Sequence, residues 1–180
     1  MRRKLFIGIT LDGRVNTVID RYEDRLQDIP VIWTPAEERH SVLVFLGYIE
    51  DDRLLDVCEG VSRALSHKEA FEIMMKTITI GPDKDHPKMI WLIGERCERL
   101  TLLRVSLVKE ISSFAKLEAK RFRPHITLGR IQKNKEKITP FTFKDVPVHI
   151  PLMVYTITIF ENVIEGKKRI AIPLYTYNLI

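Results

Sequence analysis

From residue 3 to residue 10 apolar side chains crowd into a weakly alternating run, Leu5-Phe6-Ile7-Gly8-Ile9, which predicts a buried strand. Between 14 and 28 the period changes. Val15, Val18, Ile19, Tyr22 and Leu26 recur at helical spacing, and Pro30 ends that helix. Val31-Ile32-Trp33 reads as a short strand closed by Thr34-Pro35, and His40 to Leu46 as a β-forming run stopped by Gly47. Asp51 and Asp52 are placed to cap a second helix with the stripe Leu54, Cys58, Val61 and Leu65. Phe71 to Ile80 and Met89 to Ile93 are strands ended by glycine, with a polar loop between them. A third helix is expected from about Glu98 to Leu117, with Leu100, Leu103, Leu107, Ile111 and Phe114 as its stripe. The remaining strands are expected at 126–131, about 152–160 and about 169–177, the last two joined by a turn at Glu165-Gly166.

Three helices serving about eight strands, with a hairpin-like end, imply an α+β fold with mostly antiparallel sheets. No Pro/Gly/Ser-rich linker divides the 180 residues, and that length suffices for a core. The 45% hydrophobic and 29% charged composition excludes a disordered or fibrous chain. No apolar run approaches the ~18 residues of a membrane span. The start, Met1-Arg2-Arg3-Lys4-Leu5-Phe6, has too short an apolar part for a secretory signal, so a cytoplasmic protein is expected. Two cysteines, Cys58 and Cys97, make neither a disulfide framework nor a cysteine-only zinc site. The net charge of +5 leans toward anionic partners. Its densest part, Lys120-Arg121-Phe122-Arg123, adjoins a histidine.

That histidine belongs to an internal echo. His40-Ser41-Val42-Leu43 and His125-Ile126-Thr127-Leu128 each open a β-like strand, 85 residues apart in the chain. The echo suggests two similar lobes, each giving one histidine to a shared central cleft. Residues i and i+2 of a strand share a face, so His125 lies beside Thr127 and His40 beside Val42. An imidazole next to a hydroxyl suits a phosphate ester: the hydroxyl donates to a phosphoryl oxygen while the imidazole moves a proton. One neutral and one protonated histidine would supply a general base and a general acid without a metal. Arg130 could meet charge on the phosphoryl oxygens, but five residues from His125 its face is not set by alternation. His67 is expected to face solvent, and His86 to lie in the polar loop with Asp83 and Asp85. His149 is expected to be structural, and Trp33 and Trp91 to belong to the core rather than to a base-stacking surface. Phe45 is the best aromatic candidate near the cleft, with burial in the core as the default.

Phe122-Arg123-Pro124-His125-Ile126-Thr127-Leu128-Gly129-Arg130 resembles the second signature of the RNA 2′,3′-cyclic phosphodiesterases, also called 2′-5′ RNA ligases, of the two-histidine phosphoesterase superfamily. His40-Ser41-Val42-Leu43-Val44-Phe45-Leu46-Gly47 resembles the first, and the order and spacing fit over essentially the whole chain. The resemblance implies one bilobal domain over residues 1–180, helices outside and a cleft between pseudo-symmetric lobes. It implies metal- and cofactor-free hydrolysis of an RNA or nucleoside 2′,3′-cyclic phosphate to a 2′-phosphate by a monomer, with a 2′-5′ RNA ligase side activity. Carried over by position, His40 and His125 are the acid/base pair, Thr127 a phosphate-binding hydroxyl and Arg130 a substrate contact. Val42 departs from the family, which has threonine or serine there. Ser41 would substitute only through a bulge. A weakly active or non-catalytic binder of RNA ends is therefore the alternative.

Overall fold

The computed structural model describes residues 1–26, 29–113, 122–132, 143–166 and 168–180. Phe114 and Leu117 of the expected third helix lie outside these residues, as do Lys120, Arg121, Lys133, Lys135, Lys137 and Lys167.

The strands are β1 (Arg2–Thr10), β2 (Val31–Trp33), β3 (His40–Glu50), β4 (Phe71–Gly81), β5 (Met89–Gly94), β6 (His125–Ile131), β7 (Val146–Val154), β8 (Thr156–Glu165) and β9 (Lys168–Asn178). They form one sheet in the order β7-β4-β5-β6-β3-β1-β8-β9, with β2 paired to β6. The recorded pairings are all antiparallel. The helices are α1 (Gly13–Asp24), α2 (Leu54–Leu65) and α3 (Glu98–Ile111). This is the expected α+β architecture, made as a single continuous sheet. Among the described residues no helix is long and apolar enough to cross a membrane.

The helices cover one face. Leu5, Ile7 and Ile9 of β1, Leu43 of β3, and Ile126 and Leu128 of β6 share a core with Val15 and Ile19 of α1, Val57 and Val61 of α2, and Leu100, Leu103 and Leu107 of α3. Phe6 and Phe160 are also buried, at 3% and 4% exposure, but stand outside that core. They point to the opposite face, which is where both histidines lie.

Several elements differ from the sequence pattern. β7 was not expected as a separate strand, because Pro147 and Pro151 interrupt its alternation. Both prolines are tolerated because β7 is an outermost strand of the sheet, as is β9 with Pro173. The expected strand over 152–160 is broken at Tyr155 into parts of β7 and β8. Gly47 does not stop its strand. It sits at φ 73°, the left-handed region glycine tolerates, and β3 continues through it to Glu50. Asp51 and Asp52 form a 3₁₀ turn with Arg53 before α2 rather than a side-chain cap. Asp51 instead pairs with Arg3 at 2.8 Å, which holds its carboxyl below the usual range. The turn at Glu165-Gly166 joins β8 and β9 as expected, with Gly166 at φ 61°.

Where β1 crosses the site, Gly8 is required by contact. A Cβ there would sit 2.8 Å from the Ser41 carbonyl oxygen and 3.4 Å from the Phe160 ring. Gly8→Ala is expected to cost about 1–3 kcal/mol through this overlap, read as a lower urea midpoint. An unchanged midpoint would mean that the backbone at Ser41 yields freely.

Candidate active site

The site is built where β3 meets β6 at the single antiparallel pair Ser41–Ile126. Counting outward from that pair, His40 lies across from Thr127 and Val42 across from His125. All four belong to the face away from the helices, and all are partly exposed, while Ser41 and Ile126 are buried at 1% and 0%. The structure thus brings the two motifs together in crossed register. Ser41 points into the core, and its Oγ has no hydrogen-bond partner among the described residues.

Each motif carries a one-residue bulge at its fourth position. On β3, Gly8 pairs with Val42 and Ile7 with Val44, which leaves Leu43 as the extra residue. On β6, Trp91 pairs with Thr127 and Ile90 with Gly129, which leaves Leu128. A bulge shifts alternation by one. Arg130, paired with Met89 on the strand that also carries Trp91, is thereby returned to the histidine face, where it is exposed. The equivalent position of the first motif is Phe45, paired with Phe6 and 56% exposed. Its expected place in the core is corrected by the same bulge. The bulge lies beyond Ser41 in the chain and leaves that side chain on the core face.

Bulged residues have backbone groups that the ladder does not satisfy, and here each leucine carbonyl has another partner. The Thr34 N–H donates to the Leu128 oxygen at 2.7 Å. The Thr34 carbonyl in turn accepts from Arg39 Nε at 3.1 Å. Arg39, the residue before His40, is buried and pairs with Asp20 at 2.7 Å and Glu23 at 2.9 Å on α1. Burial pushes the Glu23 carboxyl up to about 7, against the pull of the Arg39 guanidinium. The Leu43 carbonyl accepts from Arg104 Nε of α3 at 3.0 Å. The same guanidinium lies 5.1 Å from the centre of the Phe122 ring, three residues before His125. Each bulge is therefore held by a group tied to the other histidine's flank.

The imidazoles are fixed alike. His40 Nδ1 is 2.7 Å from the Glu38 carbonyl oxygen, and His125 Nδ1 is 3.0 Å from the Arg123 carbonyl oxygen. A carbonyl only accepts, so Nδ1 carries the hydrogen in both rings and Nε2 is left for chemistry. His40 packs against Phe6 at 4.9 Å and Phe160 at 5.4 Å between ring centres. His125 packs against Trp91 at 4.6 Å. Trp91 is thus part of this face rather than of the core, and a Cβ on Gly81 would lie 2.6 Å from its ring. Trp33 does pack against the core. Burial lowers the His40 pKa, against the pull of the Glu38 carbonyl, and the charge of His125 lowers it further. Among the described residues Thr127 Oγ1 has only a weak contact, 4.0 Å to the Met89 sulfur.

The other histidines stand away from this arrangement. His67 and His86 are exposed, and His86 Nδ1 lies 3.4 Å from the Asp83 carboxylate. His149 is exposed on the outermost strand β7. Cys58 and Cys97 are half-buried free thiols.

No family model matches the chain. Its fold is that of several solved structures, one of them described as a phosphoesterase. TT0787 of Thermus thermophilus superposes with a TM-score of 0.84 at 19% identity, over 99% of this chain and 98% of that one. E. coli LigT in complex with 3′-AMP superposes with a TM-score of 0.79 at 18% identity, over 99% of both. In sequence the chain is related to proteins named RNA 2′,3′-cyclic phosphodiesterase. That of Thermotoga maritima is 26% identical over 136 residues, 74% of this chain and 73% of the relative. That of Methanothermobacter thermautotrophicus is 26% identical over 142 residues, 77% of each. The resemblance carried by the two histidine motifs is borne out by relatives of that name and by the fold.

Arg104→Met leaves the Leu43 carbonyl without its donor and is expected to destabilise by about 1–3 kcal/mol. Arg104→Lys should recover part of the loss, since it keeps a donor. Equal urea midpoints for wild type and Arg104→Met would show that water replaces the guanidinium at no cost.

Proposed function

We propose that this chain hydrolyses the 2′,3′-cyclic phosphate of an RNA end or nucleoside to a 2′-phosphate, without a metal ion. The reading also takes it as one bilobal domain over 1–180, each lobe bringing one histidine to a cleft, and as a cytoplasmic monomer. The observation that carries the chemistry is the matched fixing of two imidazoles on one sheet face, each with Nδ1–H on a backbone carbonyl and Nε2 without a partner among the described residues. Relatives named for this reaction support it.

In this mechanism His40 is the base. Its burial between Phe6 and Phe160 favours the neutral ring, and a protonated His125 holds it neutral. His40 Nε2 takes a proton from water as the water oxygen bonds to phosphorus. The bond from phosphorus to O3′ breaks, and His125 Nε2–H protonates O3′. The product has a 2′-phosphate and a free 3′-hydroxyl, and proton exchange with solvent resets the pair. The Thr127 hydroxyl and the Arg130 guanidinium meet the phosphoryl oxygens. On the first motif Val42 offers no donor, which favours slow turnover as the second reading.

The test is hydrolysis of a 2′,3′-cyclic-phosphate oligonucleotide in excess EDTA, with the phosphate position of the product determined. His40→Ala and His125→Ala should each abolish it with circular dichroism unchanged. The pH profile of kcat/KM should be bell-shaped. His40 acts only when neutral and its pKa is lowered, so activity should persist below the ordinary histidine value of ~6.5 before its acid limb falls. A metal requirement, or a flat profile from pH 5 to 8, would sink the mechanism.

Val42→Thr adds a hydroxyl on the face shared with His125 at nearly constant volume. Because Val42 is partly exposed, the folded state should tolerate it. If the hydroxyl bonds the phosphoryl group only in the transition state, kcat should rise about tenfold with KM little changed. Unchanged kinetics in a stable variant would show that Thr127 and Arg130 already suffice.

A further inference from the structure

The outer half of β3 continues the histidine face beyond Phe45. A second bulge, at Leu46, pairs Leu5 with Gly47 and Lys4 with Tyr48. Phe45 and Tyr48 are three residues apart, which plain alternation would put on opposite faces. The bulge, with Gly47 at φ 73°, puts both on one. Phe45 is 56% exposed and Tyr48 68%. Their partners on β1, Phe6 and Lys4, are two residues apart, so the rings are spaced about 7 Å along the strand. Phe6 joins the row to the catalytic pair, with its ring 4.9 Å from His40 and 6.2 Å from Phe45. Lys4 Nζ stands 5.7 Å from the centre of the Tyr48 ring. Glu50, two residues beyond Tyr48, forms an ion pair with Arg2.

Exposed rings at regular spacing beside a lysine are the elements that hold single-stranded nucleic acid, bases on the rings and backbone on the charge. We propose that Phe45, Tyr48 and Lys4 form a subsite for the nucleotides preceding the reacting end. The preferred substrate is then an oligoribonucleotide with a terminal 2′,3′-cyclic phosphate, not a mononucleotide. The proposal rests on the hydrolytic reading above. Bases of the last residues stack on Phe45 and Tyr48, and Lys4 meets the phosphate between them. The protein's net charge of +5 favours the same polyanion.

The experiment compares kcat/KM for adenosine 2′,3′-cyclic phosphate and for a tetraribonucleotide ending in it. Wild type should favour the tetranucleotide by about tenfold or more, and Tyr48→Thr, which keeps a β-forming residue, should reduce that ratio about tenfold. Lys4→Ser should lower the salt dependence of tetranucleotide binding by about one released ion. Equal kcat/KM for both substrates in wild type, or a Tyr48→Thr ratio equal to that of wild type, would overturn the subsite. If wild type hydrolyses neither, the hydrolytic reading fails on its own. Fluorescence anisotropy of a labelled tetranucleotide then decides the subsite: weaker binding by Tyr48→Thr supports it. Equal or absent binding overturns it and leaves the stripe to a protein partner.

Discussion

A β-strand shows the same face only at every second residue, yet this site uses positions five apart. His125 and Arg130 differ by an odd number, as do His40 and Phe45. One extra residue in each strand, Leu43 and Leu128, reconciles them. Both leucines are buried, at 3% and 0%, so the hydrophobic core itself holds the extra residue in place. Their carbonyls are then closed by Arg104 and by the Thr34 N–H. The packing of the helix-covered face and the chemistry of the open face are therefore one problem. A core change at either leucine would move a side chain on the far side of the sheet.

The open face has a floor of its own. Phe6 and Phe160 stack at 4.9 Å beneath His40, outside the helix-covered core. Trp91 plays the corresponding part for His125. Gly8 and Gly81 leave the volume those rings occupy. An imidazole set on aromatic rings, with its Nδ1 bonded to backbone, has little rotational freedom. Its other nitrogen is held in place before any ligand arrives, which in the proposed mechanism is the part that a scaffold can supply in advance.

Much of this was legible in the sequence. Helical and strand periods located α1, α2, α3 and most strands, and the paired histidine motifs pointed to the candidate site and to the relatives named RNA 2′,3′-cyclic phosphodiesterase. What alternation could not carry was the side of Arg130 or Phe45, because a bulge leaves no mark on local composition. Gly47 reads as a stop by ordinary turn chemistry, and only pairing with β1 keeps its strand going. Pro147 and Pro151 hid β7, since their tolerance depends on its place at the sheet margin. Trp91 reads as core for a related reason. Both faces of this sheet bury aromatic rings, and sequence does not tell which face the helices cover.

The two motifs are alike in backbone but not in what they hold out: valine stands where the other has threonine, and phenylalanine where the other has arginine. A perfectly twofold site would receive a small cyclic diester equally well in either of two orientations. Either histidine could then serve as the acid, so either ester oxygen could be the one to leave, and a mixture of positional isomers would result. The unlike residues remove that degeneracy. In the proposed mechanism an anion would settle toward Thr127 and Arg130, and a flat apolar group toward Phe45. Under the proposed mechanism, divergence between the two motifs would be a means of choosing regiochemistry, with only the backbone fixing of the two imidazoles left alike.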